Sequence, residues 1–280
     1  IVNKGKLTVT GNGEVTAEKA AVANFPGAVA NLNGGTYSSS NWYVIKNLGT
    51  MTIDGPVTVK KPDGSTDTSS LIDNGWYGSA DKVAGETVPA QADKAKLTIK
   101  SGAFEGKAGS KSCSVVKNDD YGVLVITGGT FDSTNNTGTS SATTILNWNV
   151  ATISGGTFIG MYPISNGSYD NDADQGILTI TGGSIAVWTA NTADNQPLDA
   201  DGTITITGGT VLAAGGSAGM GYTIDASQGY VTYGGGMGAD STVRLTKDSA
   251  FAITDASGNT VYSGTSLCDA NYVFYCAQDV

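Results

Sequence analysis

The sequence predicts an all-β chain: a single-stranded, right-handed parallel β-helix of about nine coils with a C-terminal β-hairpin cap. Three observations predict it. First, one phrase recurs, clearest at Leu124-Val125-Ile126-Thr127-Gly128-Gly129-Thr130-Phe131 and Ile204-Thr205-Ile206-Thr207-Gly208-Gly209-Thr210-Val211. Second, its anchors Ile99, Ile126, Ile153, Ile180 and Ile206 follow one another at 27, 27, 27 and 26 residues, a fixed period that marks a stacked repeat. Third, the chain holds 40 glycines and only 6 prolines, too much glycine for a helical solenoid and without a collagen period.

Each coil opens on an apolar-x-Asn triplet: Ile1-Val2-Asn3, Val22-Ala23-Asn24, Ile45-Lys46-Asn47, Ile72-Asp73-Asn74, Val116-Lys117-Asn118, Ile145-Leu146-Asn147 and Ile164-Ser165-Asn166. Leu198-Asp199-Ala200 and Ile224-Asp225-Ala226 continue the series with the asparagine lost. Asparagine tolerates left-handed backbone and can hand a side-chain hydrogen bond from coil to coil. A second strand follows in which apolar and polar residues alternate, the period of a half-buried strand: Leu7 and Val9 point inward, Thr8 and Thr10 outward. The glycine pair supplies a bend with positive φ or close backbone approach. The third strand then brings Tyr37, Phe104, Phe131 and Phe158 inward, to stack on their counterparts. Right-handedness follows the preference of parallel crossovers.

Residues 1–240 form the β-helix on this reading, with loop insertions near 78–94, 133–143, 160–176 and 222–238. Residues 241–280 are a capping segment of the same domain, in which the Ser257-Gly258-Asn259 turn between apolar runs predicts a hairpin. Ile1 is already mid-repeat, so further domains of the same polypeptide are expected upstream.

Composition narrows the function. A net charge of −10, with Arg244 as the single arginine, disfavours a nucleic-acid partner, because phosphate neutralisation supplies most of that affinity. No stretch is long enough to span a membrane. The absence of histidine removes Ser-His-Asp and Cys-His catalysis and histidine-bound zinc. Of three cysteines, Cys268 and Cys276 are spaced to bridge a hairpin in an exported protein, or to act as buried apolar fillers; Cys113 is left over.

Two stretches carry a family resemblance. The run Asp199-Ala200-Asp201-Gly202-Thr203-Ile204-Thr205-Ile206-Thr207-Gly208-Gly209-Thr210-Val211, the following Gly219-Met220 and the 255–263 hairpin resemble pectate-lyase-like β-helix proteins of clostridia and related gut bacteria described as carbohydrate-binding domains. The resemblance covers roughly residues 175–265. The N-terminal half resembles, more loosely, the Gly-Gly-Thr-Phe repeat regions of large bacterial surface proteins. These resemblances imply an exported, extracellular or cell-surface protein that binds plant-type polysaccharide or host glycan and can carry Ca²⁺ among its coils. The repeated phrase itself is a coil signature shared by many functions.

The candidate carbohydrate-binding residues are Trp42, Trp76, Trp148, Trp188, Tyr162 and Tyr169, rings outside the inward columns that can stack on sugars or pack beneath insertions. The candidate metal ligands are Asp172, Asp174, Asp199, Asp201 and Asp225. Aligning Gly176 with Gly202 sets Asp174 over Ala200 and Asp225 over Asp199, and carboxylates one strand spacing apart repel unless a cation such as Ca²⁺ intervenes. The plainer reading is that they are solvated turn residues, with loop length moving the side chains apart. An outward Thr-x-Thr column resembles ice-binding surfaces but is broken at Asn31, Asn33, Asp54, Lys100 and Val125, and threonine is simply a good exposed strand residue.

The expected function is a non-catalytic, adhesin-like module that binds polysaccharide; the alternatives are a structural stalk of a larger surface protein, or a polysaccharide lyase or glycoside hydrolase. Catalysis is disfavoured because lysines concentrate before Lys117 and acids after Asp170, separating base from cation site.

Overall fold

The computed structural model describes residues 1–280 except 76–81, 84–85, 88–93, 107–113, 134–142, 161, 168–175, 190–196, 201–202, 217–222, 235–241 and 279. Among the described residues there is no helix. Three long sheets of eight, nine and ten strands run the length of the molecule, and the chain visits them in turn. The first sheet begins at Val2–Asn3 and ends at Leu198–Ala200; the second runs from Lys6–Val9 to Thr223–Ala226. The third starts at Glu14–Ala17. Each strand pairs in parallel with its counterpart in the preceding coil, for example Ile72↔Ile45, Leu124↔Leu97 and Phe131↔Phe104. This is a parallel β-helix-like solenoid.

Period-two alternation does what the sequence predicts. Leu97, Ile99, Leu124, Ile126, Ala151, Ile153, Leu178 and Ile180 are buried in one continuous core, while Thr98, Val125, Thr152 and Thr179 between them are half-exposed on the outer face of the second sheet. Phe104, Phe131 and Phe158 stack with centroids 4.7 and 5.0 Å apart and planes within 10° of parallel. The next pairing departs from the motif alignment: Phe158 faces Val187, and Ile185 falls on Gly156. The slip is two residues, so every side chain keeps its face. Tyr37 is buried in the same column but lies on Val15 and Val59, apart from the phenylalanine stack.

The triplet asparagines form the most regular feature of the interior. Asn3, Asn24, Asn47, Asn74, Asn118, Asn147 and Asn166 pass one Nδ2–H to the next Oδ1 at 2.7–2.8 Å. The second Nδ2 hydrogen reaches a carbonyl of the second sheet, such as Thr50, Lys96, Val123 or Val150. The carboxamide, with two donors and a two-lone-pair acceptor, is satisfied in both directions along the stack. The expected left-handed geometry is not what selects asparagine: the described non-glycine residues with positive φ are Ala20, Trp42, Tyr121 and Asp248. The bends fall to glycine instead. At Gly183 φ is +74°, and a Cβ would lie 1.7 Å from the Ser154 carbonyl oxygen.

The C-terminal hairpin forms, as antiparallel strands Ala250–Thr254 and Thr260–Thr265 around a turn at Gly258. It packs Phe251, Ile253, Val261 and Tyr262 onto Trp188, Leu212, Ala214 and Tyr275. Leu212 and Ala214 alternate with the core residues Val211 and Ala213, so the hairpin covers the outside of the third sheet. The third sheet is finished by Tyr272–Cys276, which inserts antiparallel between Thr210–Gly215 and Tyr230–Gly234.

Two expected insertions contain sheet strands. Residues 162–166 belong to the first sheet, while 223–226 and 230–234 belong to the second and third. Their glycine and tyrosine load reads as loop, yet the partner that orders 230–234 is more than thirty residues away, at Tyr272–Cys276. Cys268 and Cys276 are both free and buried, in the hairpin cluster and the main core respectively. Burial pushes the Cys268 thiol up to about 12. They are apolar fillers, and the bridge reading is corrected. Cys113 lies outside the described residues.

Replacing Asn74 with Ala strands the Asn47 amide and the Asn118 carbonyl oxygen, each buried. An unmet buried group costs about 1–3 kcal/mol, so the urea midpoint of Asn74→Ala should fall well below that of Asn3→Ala, which strands only one neighbour.

Candidate functional site

The lengths of the connections single out one face. From second to third sheet the chain turns in two to four residues every time. The six connections of eight residues or more between the sheets of successive coils meet an end of a first-sheet strand: 61–71, 75–94, 106–115, 133–142, 167–176 and 190–197; the shorter 216–222 runs from the third sheet to the second. Insertions in a solenoid gather on the face used for binding. The outer face of the first sheet is therefore the candidate site.

Its side chains are the middle residues of the triplets. Register stacks Ala23, Lys46, Asp73, Lys117, Leu146, Ser165 and Asp199 in one outward column. Lys46 Nζ donates to Asp73 Oδ1 at 2.8 Å, and both side chains are 0% exposed. Lys117 Nζ lies 3.0 Å from Asp119 Oδ2, with 12% and 0% exposure. Among the described residues the second oxygen of Asp73 is buried without a hydrogen-bond partner, and Asp119 Oδ2 has the lysine beside it but no aligned donor.

Aromatic rings frame the charges. The Tyr43 ring centroid is 5.2 Å from Lys46 Nζ, and the Trp148 centroid 4.0 Å from Lys117 Nζ. Both rings are half-buried. Contacts of this kind strengthen as water is excluded. Trp42, held at φ +94°, packs on Tyr43 at 4.7 Å and against the Ala23–Phe25–Leu48 cluster. The fully buried Lys61 clamps the Trp42 carbonyl and reaches Asp67 at 2.5 Å.

Burial raises the Asp119 carboxyl to about 7; the charge of Asp73 adds to the rise, while Lys117 and Lys46 oppose it. Two carboxyl groups and two ammonium groups thus share a mostly dry site, in which the neighbouring carboxylate disfavours ionisation of Asp119.

The sequence-predicted residues scatter relative to this face. Trp42 and Trp148 lie on it. Trp188 does not: it is 2% exposed, edge-on to Phe251 at 6.1 Å beneath the hairpin, and is packing. Trp76, Tyr169, Asp172, Asp174 and Asp201 lie outside the described residues, as does the side chain of Tyr162. Asp199 is in the outward column and accepts from Ser165 Oγ at 3.2 Å. Asp225 pairs instead with Thr205 in the second sheet, so it does not stack over Asp199. Ala200 pairs with Asn166 in the first sheet, and Leu178 with Ile204 in the second. Among the described residues no three acidic or cysteine side chains converge as a metal site.

The sequence reading missed Lys46, Asp73, Lys117 and Asp119. The signal was present in the triplets, where the middle residue alternates in sign over three successive coils. Within the lysine-rich half, acids interleave with lysines from coil to coil, while the acids after Asp170 stay apart from these lysines along the chain. Arg244 is remote from the cluster, near the C-terminal end, with its guanidinium 4.9 Å from the Tyr233 ring.

No family model, curated protein or solved structure matches this chain. The site rests on its own geometry.

Two outcomes follow. Lys46→Met leaves Asp73 as an uncompensated buried charge and should cost about 3–5 kcal/mol in denaturant unfolding, whereas Lys46→Met with Asp73→Leu should recover most of that loss. Folded Asp119 keeps a proton up to about pH 7 that the unfolded chain releases near pH 4. The folded state binds more protons across that window, so this group's contribution to stability is fully present below about pH 4 and declines as pH rises to about 7. Stability curves of Asp119→Asn should lack that decline.

Proposed function

We propose that the chain is a non-catalytic, exported bacterial surface module of the right-handed, pectate-lyase-like β-helix type, which binds polysaccharide across the outer face of its first sheet. The observation that carries this reading is the collection of the six longest inter-sheet connections at the strand ends of that sheet, around a face bearing Trp42, Tyr43 and Trp148. Half-buried rings beside fixed charges suit sugars, whose axial C–H faces stack on aromatics while hydroxyls take hydrogen bonds. Catalysis fits poorly. Asp73 and Asp119 resemble a paired acid and base, but both are fully buried, out of reach of a glycosidic oxygen.

Binding should appear on a glycan array and in affinity gels containing pectin, xylan, cellulose or mucin. Trp148→Ala should weaken the best ligand about tenfold, equivalent to about 1.4 kcal/mol, with little loss of fold. Trp188→Ala should instead lower stability and leave intrinsic affinity unchanged. Absence of binding to every glycan, with and without Ca²⁺, would overturn the reading and leave the stalk.

Calcium enters the same proposal as a structural ion on the far half of this face, held by Asp199 with Asp172, Asp174 and Asp201. Asp225 is excluded by its place in the second sheet. Free Ca²⁺ a hundredfold above Kd would add about 2.7 kcal/mol to stability. The melting temperature should rise with Ca²⁺ and fall with chelator, and Asp199→Asn should abolish the response. A melt indifferent to both removes the ion.

A further inference from the structure

The Lys46–Asp73–Asp119 cluster is not accounted for by glycan binding, since none of the three is exposed. A dry ion pair is an expensive way to join two coils: both ions lose their hydration, and the remaining Asp73 oxygen finds no donor among the described residues. The arrangement contains what amide formation needs. A primary amine is held against a carboxyl group at 2.8 Å with both side chains out of solvent, and the buried Asp119 carboxyl, 3.0 Å from Lys117 Nζ, feels the charges of both Asp73 and Lys46.

We propose that Lys46 and Asp73 join in an intramolecular isopeptide bond, a covalent staple between adjacent coils, with Asp119 relaying the proton.

The chemistry balances without any co-reactant. Within the ion pair one proton passes from Lys46 Nζ to the Asp73 carboxylate, giving the neutral amine and acid that a dry site favours over separated ions. The amine nitrogen attacks Asp73 Cγ and forms the N–C bond. Protonated Asp119 donates to the carboxyl oxygen as it becomes tetrahedral and receives a proton back from the nitrogen. One Asp73 oxygen leaves as water with the C–O bond broken, and Asp119 returns to its starting state. Its buried carboxyl retains a proton to about neutrality, as the relay requires. Release of water from an apolar site, and replacement of two buried ions by a neutral amide, drive the reaction forward. The Tyr43 ring, 5.2 Å from Lys46 Nζ, keeps bulk water from that nitrogen.

The staple would join positions 27 residues apart, immediately before the 75–94 insertion departs, and so fix the base of that insertion. The constraint acts on the unfolded chain, as a disulfide does, but is indifferent to reductant.

Intact-mass spectrometry of the purified whole chain is the test. The wild-type protein should be lighter than its sequence by one water, and proteolysis should release a branched peptide that links the Lys46 and Asp73 segments. Lys46→Arg should restore the full mass. Asp119→Asn should restore it too while the fold persists by circular dichroism. Wild-type protein of full mass after prolonged incubation overturns the proposal. A dehydration confined to one linear peptide, as in a cyclised aspartate, overturns it as well. A branched peptide that persists in Asp119→Asn overturns the relay.

Discussion

Each strand rests on its own counterpart from the previous coil, so each side-chain column must tolerate like on like at one strand spacing. That constraint governs the interior. Phenylalanine meets it by stacking face to face, and the aliphatic columns meet it by interlocking methyl groups. Asparagine meets it because one carboxamide is both donor and acceptor, so identical residues complete one another from Asn3 to Asn166. Aspartate or lysine in that column would face its own charge at hydrogen-bond distance.

The outer column of the first sheet shows the same rule for charged groups. Lys46, Asp73 and Lys117 follow in register, so each ion meets its opposite above or below. Asp119 breaks the alternation. It adds a second carboxyl beside Asp73, and burial together with that neighbour holds its proton to about neutrality. A charge column that would be ordinary on an open sheet becomes reactive here because Lys46 and Asp73 are wholly out of water.

Much of the fold was legible because the like-on-like rule writes itself into the sequence as repetition. The triplets as far as Leu198–Ala200, the alternating second strand and the glycine pair each correspond to a described sheet or bend, whereas Ile224-Asp225-Ala226, read as a ninth triplet, falls in the second sheet. Two features were legible only in part. The two-residue slip between Phe158 and Val187 preserves every facing, so no hydrophobic pattern reveals it. The strand 230–234 is held by 272–276, a long-range antiparallel partner that local composition does not announce. At the site, Trp42, Trp148 and Asp199 were found for their residue types, whereas Trp188 was misread because a hairpin distant in sequence buries it. The four charges were overlooked because they were counted along the chain and not across the coils.

The glycine corner explains why function gathers at one face. Where second strand meets third, backbone approaches backbone so closely that a Cβ on Gly183 would overlap the Ser154 carbonyl, and one on Gly209 would lie 2.5 Å from the Gly182 carbonyl carbon. Inserted residues there would prise apart the coils above and below. The corners flanking the first sheet carry no such repeated pair; single glycines at the corner after it sit as tightly, with a Cβ on Gly75 2.3 Å from the Asp120 carbonyl oxygen and one on Gly49 2.4 Å from that of Ala28, and at that corner the asparagine ladder secures the strands by side chains. Loops can lengthen at those corners with the ladder intact. The ladder therefore does more than hold the stack: it secures the strand ends from which 75–94 and 167–176 depart, on the face where rings and charges have accumulated.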